Sequence, residues 1–372
     1  MSKKIITIDY LLYLIPVLLI GVSVALIYSL VFSGDDIYLA TKQAIFGAIG
    51  IGSMIIFSLL DYRALKGLWW VIYIITLLLL VYVDFFGVVV GGAMRWINLG
   101  FFNLQPSEVA KFSIIISMAW FFSDRLGRLK TKDIFYSILL LLPQIVLILK
   151  QPDLGTAIAV FFIYLAMLFA AKPSPRQSIV IISSLILLAA VFVLSSLNVQ
   201  PFSPLMKQYQ RERVLTFIDP GRDPYKQGYN VRQAQIAIGS GGLFGKGLGR
   251  GSQSQLEYLP MPHTDFIFSG AGESMGFFGA SLIILMLLVL VLRIYNAGNI
   301  SQDYFGYLVA SGGAALIISQ SVINIGMNLG IAPVTGIPLP FLSSGGSGVI
   351  IYFTIIGVIQ SIYIRHKKLS FL

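Results

Sequence analysis

His263-Thr264-Asp265-Phe266-Ile267-Phe268 marks the point where the chain's one long polar stretch ends and a hydrophobic segment begins. A carboxylate at the mouth of a membrane span is costly to desolvate, which makes Asp265 a functional candidate. If the rest of the chain is built the same way, from apolar runs joined by polar links, the protein is a membrane bundle with a polar site at its surface.

Composition points the same way. The chain has 372 residues, of which 57% are hydrophobic and 11% charged, with a mean hydropathy of +0.85. A soluble domain carries about 25% charged residues. This chain has too little polar surface for water, so lipid must cover most of it. The absence of Cys excludes disulfides and Cys-based metal or nucleophile sites. His263 and His366 are too few for a His-rich metal cluster. The net charge of +10 raises nucleic acid as a partner, but the placement of the charges has a simpler explanation and no nucleic acid is expected.

Ten apolar runs are long enough to be spans: 10–32, 40–60, 67–86, 107–123, 134–149, 154–171, 178–197, 266–292, 305–329 and 347–364. The first is read as a span rather than a cleaved signal peptide. Basic residues then set the orientation. Lys3 and Lys4 precede the first span. Arg63 and Lys66 follow the second; Arg125, Arg128, Lys130 and Lys132 follow the fourth. Lys172 and Arg176 follow the sixth, Arg293 the eighth, and Arg365, Lys367 and Lys368 the tenth. With ten spans all of these share one side, the cytoplasmic one. The expected fold is an all-α polytopic membrane protein with both termini cytoplasmic. Asp35, Asp36 and Asp265 then face outward from the membrane.

The connection 198–265 is the one large polar region and is external in this topology. Its basic excess includes Lys207, Arg211, Arg213, Arg222, Lys226, Arg232, Lys246 and Arg250. Long loops are exempt from the positive-inside rule. Contact with anionic lipid headgroups is one explanation; an anionic substrate such as a phosphate or diphosphate is another. Val231 to Ile238 reads as a short interfacial helix. The glycines at 239, 241, 242, 245, 247, 249 and 251 match neither a Walker loop nor a dinucleotide fingerprint. They mark either tight turns or backbone that approaches a substrate closely.

Other outward segments share this character. Gly91-Gly92-Ala93-Met94-Arg95-Trp96 leads towards Gln105-Pro106-Ser107-Glu108-Val109-Ala110-Lys111. Pro106 followed by Glu108 suits a helix start. Glu108 and Lys111, three apart, share a helix face and can pair as a structural salt bridge. Lys150-Gln151-Pro152-Asp153-Leu154-Gly155-Thr156 is another helix start with a carboxylate. Pro333 to Ser347 is an irregular link, which at membrane depth must be buried in protein or line a cavity.

Together these residues resemble the SEDS family (shape, elongation, division and sporulation), the RodA/FtsW proteins of bacterial cell-wall synthesis. The resemblance covers nearly the whole chain as a single membrane domain. It rests on Arg95-Trp96, Gln105-Pro106-Ser107-Glu108 with Lys111, Gln151 to Thr156, Phe217-Ile218-Asp219-Pro220, Gly228-Tyr229-Asn230 and Ile236 to Gly242. His263 to Phe268, Asn324-Ile325-Gly326-Met327 and Pro338-Leu339-Pro340 complete it. The tract from Tyr209-Gln210 to Gly245-Lys246-Gly247 looks more like RodA; Leu248-Gly249 and Tyr258-Leu259-Pro260 look more like FtsW. Two positions depart from the family pattern: Met261 where a Glu usually precedes the His-Thr-Asp, and Glu273-Ser274 where a Glu-Glu pair usually follows.

The resemblance implies a peptidoglycan glycosyltransferase that polymerises lipid II into β-1,4 glycan strands, releases undecaprenyl diphosphate and serves cell elongation and rod shape. It implies a class B penicillin-binding protein as transpeptidase partner, with MreC, MreD and RodZ in the wider system. The acceptor hydroxyl must lose a proton as it attacks the anomeric carbon, and Asp265 is the candidate general base. Diphosphate is the leaving group, so its charge calls for cations or a metal, with Mg or Mn the divalent candidates. Lys111, Arg211 and Arg213 are the candidate cations. Gln253, His263 and Thr264 join them as candidate substrate contacts, with Arg95, Asp153 and Ser343 as further candidates. No second nucleophilic carboxylate is evident, so inversion is expected. Four alternatives stand beside this reading. Asp265 or Thr264 could simply cap the following helix. The chain could be an FtsW-type division enzyme. It could also be a lipid II flippase or a non-catalytic scaffold.

Overall fold

A computed structural model describes residues 8–30, 37–90, 93–100, 102–197, 199–200, 208–219, 223, 227–256, 258–259 and 261–366. Lys3, Lys4, Lys367, Lys368, Asp35, Asp36 and the loop charges Lys207, Arg222, Lys226 and Glu257 lie outside the described residues.

Each expected span is a helix. They are α1 (Tyr10–Leu30), α2 (Ile37–Leu59), α3 (Arg63–Phe86), α4 (Pro106–Ser123), α5 (Thr131–Lys150), α6 (Leu154–Ala170) and α7 (Pro175–Ser196). After three short helices, α8 (Gln208–Ile218), α9 (Gln227–Ser240) and α10 (Ser252–Gln255), come α11 (Ile267–Asn299), α12 (Tyr304–Asn328) and α13 (Gly346–Ile364). Eight of these are long and apolar enough to cross a membrane: α1, α2, α3, α5, α7, α11, α12 and α13. At 17 residues, α6 is a shorter apolar helix. The remaining member, α4, carries Glu108, Lys111 and four serines, and all of it but Val109 and Trp120 is buried. It packs against α3, α6 and α12. Protein rather than lipid surrounds it, which is why it tolerates charge.

By contrast α7 buries only Ser195 and Ser196, and Ile179, Val180, Ile186 and Leu187 are exposed. An apolar helix that leaves most of its length uncovered by protein is suited to lipid.

The all-α expectation omits one feature. Between α3 and α4 lies a small antiparallel sheet of β1 (Val88–Val90), β2 (Ala93–Asn98) and β3 (Asn103–Leu104), in that order. Its register pairs Val88 with Trp96 and Ile97 with Leu104. The run of β-branched residues Val88-Val89-Val90 is the available signal. The sheet fixes Arg95 at the end of the bundle where α4 begins.

Arg63, Lys66 and Lys172 line one cavity of about 750 Å³ with Asn299, at the last residue of α11, and Asp303. Asp265 precedes the first residue of α11, so it lies at the opposite end of that helix. The 33-residue α11 would span about 50 Å if straight. It breaks at Gly276, where φ is 68°. The glycine run fills the break: Lys246 and Gly247 N–H groups donate to the Glu273 and Ser274 carbonyls, and Phe277 and Phe278 N–H groups donate to Gly242 and Leu243. A Cβ on Gly241 would sit 2.0 Å from the Gly272 oxygen. Gly241 and Gly245 therefore serve close approach to backbone of the same chain, and Gly242, Gly247 and Gly249 take the positive φ of tight turns.

Candidate active site

Three segments meet around Asp265. The first is its own turn, 261–266. The second is the irregular link before α13, which is buried in protein: Ile337, Leu339, Phe341, Leu342 and Ser343 are all nearly inaccessible. Ser343 Oγ donates to the Thr264 carbonyl at 2.7 Å and accepts the Leu339 N–H at 2.8 Å. Ser344 N–H donates to the His263 carbonyl at 2.8 Å. The third is α12, where Asn324 and Asn328, one turn apart and fully buried, each donate Nδ2 to the Asp265 carbonyl at 3.0 Å. Asn328 Oδ1 also accepts from Ser269 Oγ at 2.6 Å. The backbone of the turn is thus anchored by side chains far apart in sequence.

The Asp265 carboxylate is left open. Phe266, not Asp265 or Thr264, is the N-cap of α11, and no side chain caps it. Thr264 Oγ1 donates back to Met261 at 3.4 Å. The capping alternative for both residues therefore fails, because the turn points their side chains away from the first N–H groups of the helix. No hydrogen bond to the Asp265 carboxylate is found among the described residues. Oδ2 lies 3.5 Å from where a Cβ on Gly336 would stand, an ordinary contact distance, so the carboxylate borders the irregular link at Gly336. Burial pushes its pKa up from the ordinary value; the charges of Arg213 and Arg95 draw it back and Asp153 adds to the rise.

Asp153 has the opposite character. It caps α6 through Thr156 N–H at 3.1 Å and accepts from Thr156 Oγ1, Ser107 Oγ and Gln105 Nε2 at 2.9–3.0 Å. Arg95 approaches it at 3.6 Å. With four hydrogen bonds and an ion pair, Asp153 ties β2, α4 and α6 together and is not available as a base.

The expected cations separate. Arg213 donates to the Thr335 carbonyl at 3.1 Å and its charge reaches Asp265. Arg211 donates to the Ser196 carbonyl at the end of α7. Two residues along a helix are about 200° apart, so one α8 turn sends these arginines to opposite sides. Lys111 has no exposed surface and meets Glu108 at 2.6 Å, with its Nζ 5.8 Å from the Tyr352 ring centroid. The pair is the expected salt bridge, but its burial gives Lys111 no open face toward a diphosphate. Gln253 is drawn to Glu273, not Asp265: its N–H donates to Glu273 Oε1 at 2.8 Å. His263 takes part through its carbonyl.

Asn324, Asn328, Gly336 and Glu273 received no role from the sequence. Two asparagines four apart in an apolar span are the signal for the first pair, since polar groups inside a membrane need partners. Among the described residues no three His, Asp or Glu side chains are grouped to hold a metal ion.

The fold and site define a multi-span membrane protein with one open carboxylate, flanked by arginines, at a mouth of its bundle. The sequence model of the FtsW, RodA and SpoVE cell cycle proteins matches residues 3–368. The chain belongs to that family. It is 37% identical to the peptidoglycan glycosyltransferase MrdB of Escherichia coli K12, over 96% of this chain and 95% of that protein. It is 35% identical to the probable peptidoglycan glycosyltransferase FtsW of Geobacter sulfurreducens, over 90% and 87%. The rod shape determining protein RodA of Thermus thermophilus superposes with a TM-score of 0.69 at 26% identity, covering 97% of this chain and 98% of that one. A chain from a peptidoglycan synthase complex, solved to show how polymerization and crosslinking are coordinated, superposes at 0.80 with 30% identity, covering 97% and 98%.

Proposed function

We propose that this chain is a peptidoglycan glycosyltransferase that polymerises lipid II into β-1,4 glycan and releases undecaprenyl diphosphate. The open Asp265 carboxylate carries the reading: it is the one acid at this mouth with no hydrogen bond among the described residues. As general base it takes the proton of the acceptor hydroxyl while the oxygen attacks the anomeric carbon of the donor. The bond to the diphosphate breaks, and the configuration inverts because, among the described residues, no second carboxylate is seen free beside Asp265 to form a covalent intermediate. Arg213, with Arg95 beyond it, supplies positive charge for the departing diphosphate. A magnesium or manganese ion takes several oxygen ligands, and the described residues around Asp265 do not group the carboxylates for such a site, so no step here is routed through a metal.

The Asp265 mouth faces outward and 198–265 is the external loop, because Arg63, Lys66 and Lys172 collect at the opposite end of α11. Within the family the chain reads as the RodA type, serving elongation. Its partner is a class B penicillin-binding protein, as the resemblance to a synthase-complex chain supports.

Polymerisation of labelled lipid II by the purified chain in detergent, alone and with a candidate transpeptidase, tests the proposal. Substrate supplied in detergent needs no transport, so a flippase or a scaffold makes no glycan from it. Glycan ladders are expected; their absence under every partner condition would overturn the assignment.

A further inference from the structure

Glu273 lies two turns beyond Asp265 on α11, is fully buried, and plays no part in the reaction described above. A carboxylate at that depth needs strong partners, and it has four close ones. Its Oε1 accepts from Gln253 N–H at 2.8 Å and Lys246 Nζ at 3.0 Å; its Oε2 accepts from Ser254 Oγ at 2.8 Å and Ser254 N–H at 3.1 Å. The chain leaves this point at Ser254, runs out to Asp265, and returns down the first turns of α11 to Glu273. The carboxylate therefore closes the segment 253–273 into a ring.

Further points of the ring are also pinned. The Asn324 and Asn328 side chains hold the Asp265 carbonyl at one end. At the other, the Lys246 and Gly247 N–H groups hold the Glu273 and Ser274 carbonyls beside the break at Gly276. The break uncouples the helical piece 267–275 from the long remainder of α11, so the remainder cannot set its position. Gln255 Nε2 and Gly249 N–H further tie the loop to Ser29 of α1, at 2.8 and 2.6 Å.

We infer that Glu273 is a positioning residue for Asp265: its clasp on Gln253 and Ser254 fixes the segment that holds the base against its acceptor. The inference rests on Asp265 being that base. Misplacing a reacting group by about 1 Å can cost about 10²-fold in rate. Opening the ring would also admit water to Asp265 and relieve the burial that raises its pKa, while Arg213, Arg95 and Asp153 continue to face it.

The test measures kcat, KM and their pH dependence for lipid II polymerisation by purified Glu273→Gln and Ser254→Ala, beside Asp265→Asn. Glu273→Gln keeps the shape but is a poor acceptor for four donors; Ser254→Ala removes one hydroxyl and leaves no buried charge. The expected result is a fall in kcat of about 10²-fold for Glu273→Gln and several-fold for Ser254→Ala. KM should be unchanged in both, and the acid limb of the profile should move to lower pH. If Glu273→Gln fails to fold, Ser254→Ala decides alone. Wild-type kcat and an unmoved acid limb per folded molecule would make the clasp purely structural and overturn the inference. An inactive Asp265→Asn beside such results removes the inference alone. A fully active Asp265→Asn removes the base reading and the inference with it.

Discussion

Asn324 holds Asp265 by its backbone: Asn324 Nδ2 donates to the Asp265 carbonyl at 3.0 Å and, from the same nitrogen, to the Ile337 carbonyl at 2.8 Å. One buried amide thus joins the turn of the base to the link that flanks it.

Replacing Asn324 by Leu should cost about 1–3 kcal/mol in stability, because the Ile337 carbonyl loses this donor and the Asp265 carbonyl keeps only Asn328. Polymerisation should slow as well. Thermal unfolding in detergent and the lipid II assay check both. An unchanged melting point together with a normal rate would show that the junction is idle.

Glu108 and Lys111 form an almost fully buried ion pair. Glu108→Ala strands an ammonium in the bundle, at a cost of about 3–5 kcal/mol. Glu108→Gln should also be poor, since a neutral amide does not balance the charge. The double variant Glu108→Leu with Lys111→Met should be milder than either single loss of charge, because no ion remains to be desolvated. A double variant less stable than Glu108→Ala would argue against this account.

Asp265→Asn should nearly abolish glycan synthesis, since a positioned base contributes about 10²–10⁴-fold, while the protein still folds and binds its transpeptidase. Asp265→Glu should rescue poorly. In the wild type, activity requires the ionised base and so rises with pH through the pKa of Asp265. Burial has raised that pKa, so the acid limb should lie above the ordinary carboxylate range. The stability effect has the opposite sense. A group whose folded pKa is raised binds its proton more tightly when folded, so stability falls as pH rises from the unfolded to the folded value. A wild-type acid limb at or below the ordinary range would refute the buried environment assigned to Asp265.

Tags at residue 129 and at the C-terminus should be cytoplasmic, and a tag near residue 222 external. Accessibility to membrane-impermeant reagents in intact cells reads this out. A cytoplasmic tag at 222 would place Asp265 on the wrong side for an external sugar acceptor.

The sequence by itself determined the ten helices and the pairing of Glu108 with Lys111. Both follow from local chemistry: long apolar runs, eight of them of membrane length, and opposite charges three residues apart on one face. It also marked Asp265, since a carboxylate at the mouth of a span is costly wherever the rest of the chain lies.

Only the tertiary structure decided which carboxylate is open. Asp153 and Asp265 both stand at helix starts, yet Asp153 collects donors from α4 and α6 while Asp265 faces Gly336, 71 positions later in the chain. The fold likewise separated Arg211 from Arg213, enclosed Lys111 in protein, and set the glycine run into the break of α11. Each of these depends on which segments meet, and no spacing within one segment encodes the donors or the burial that a distant segment supplies.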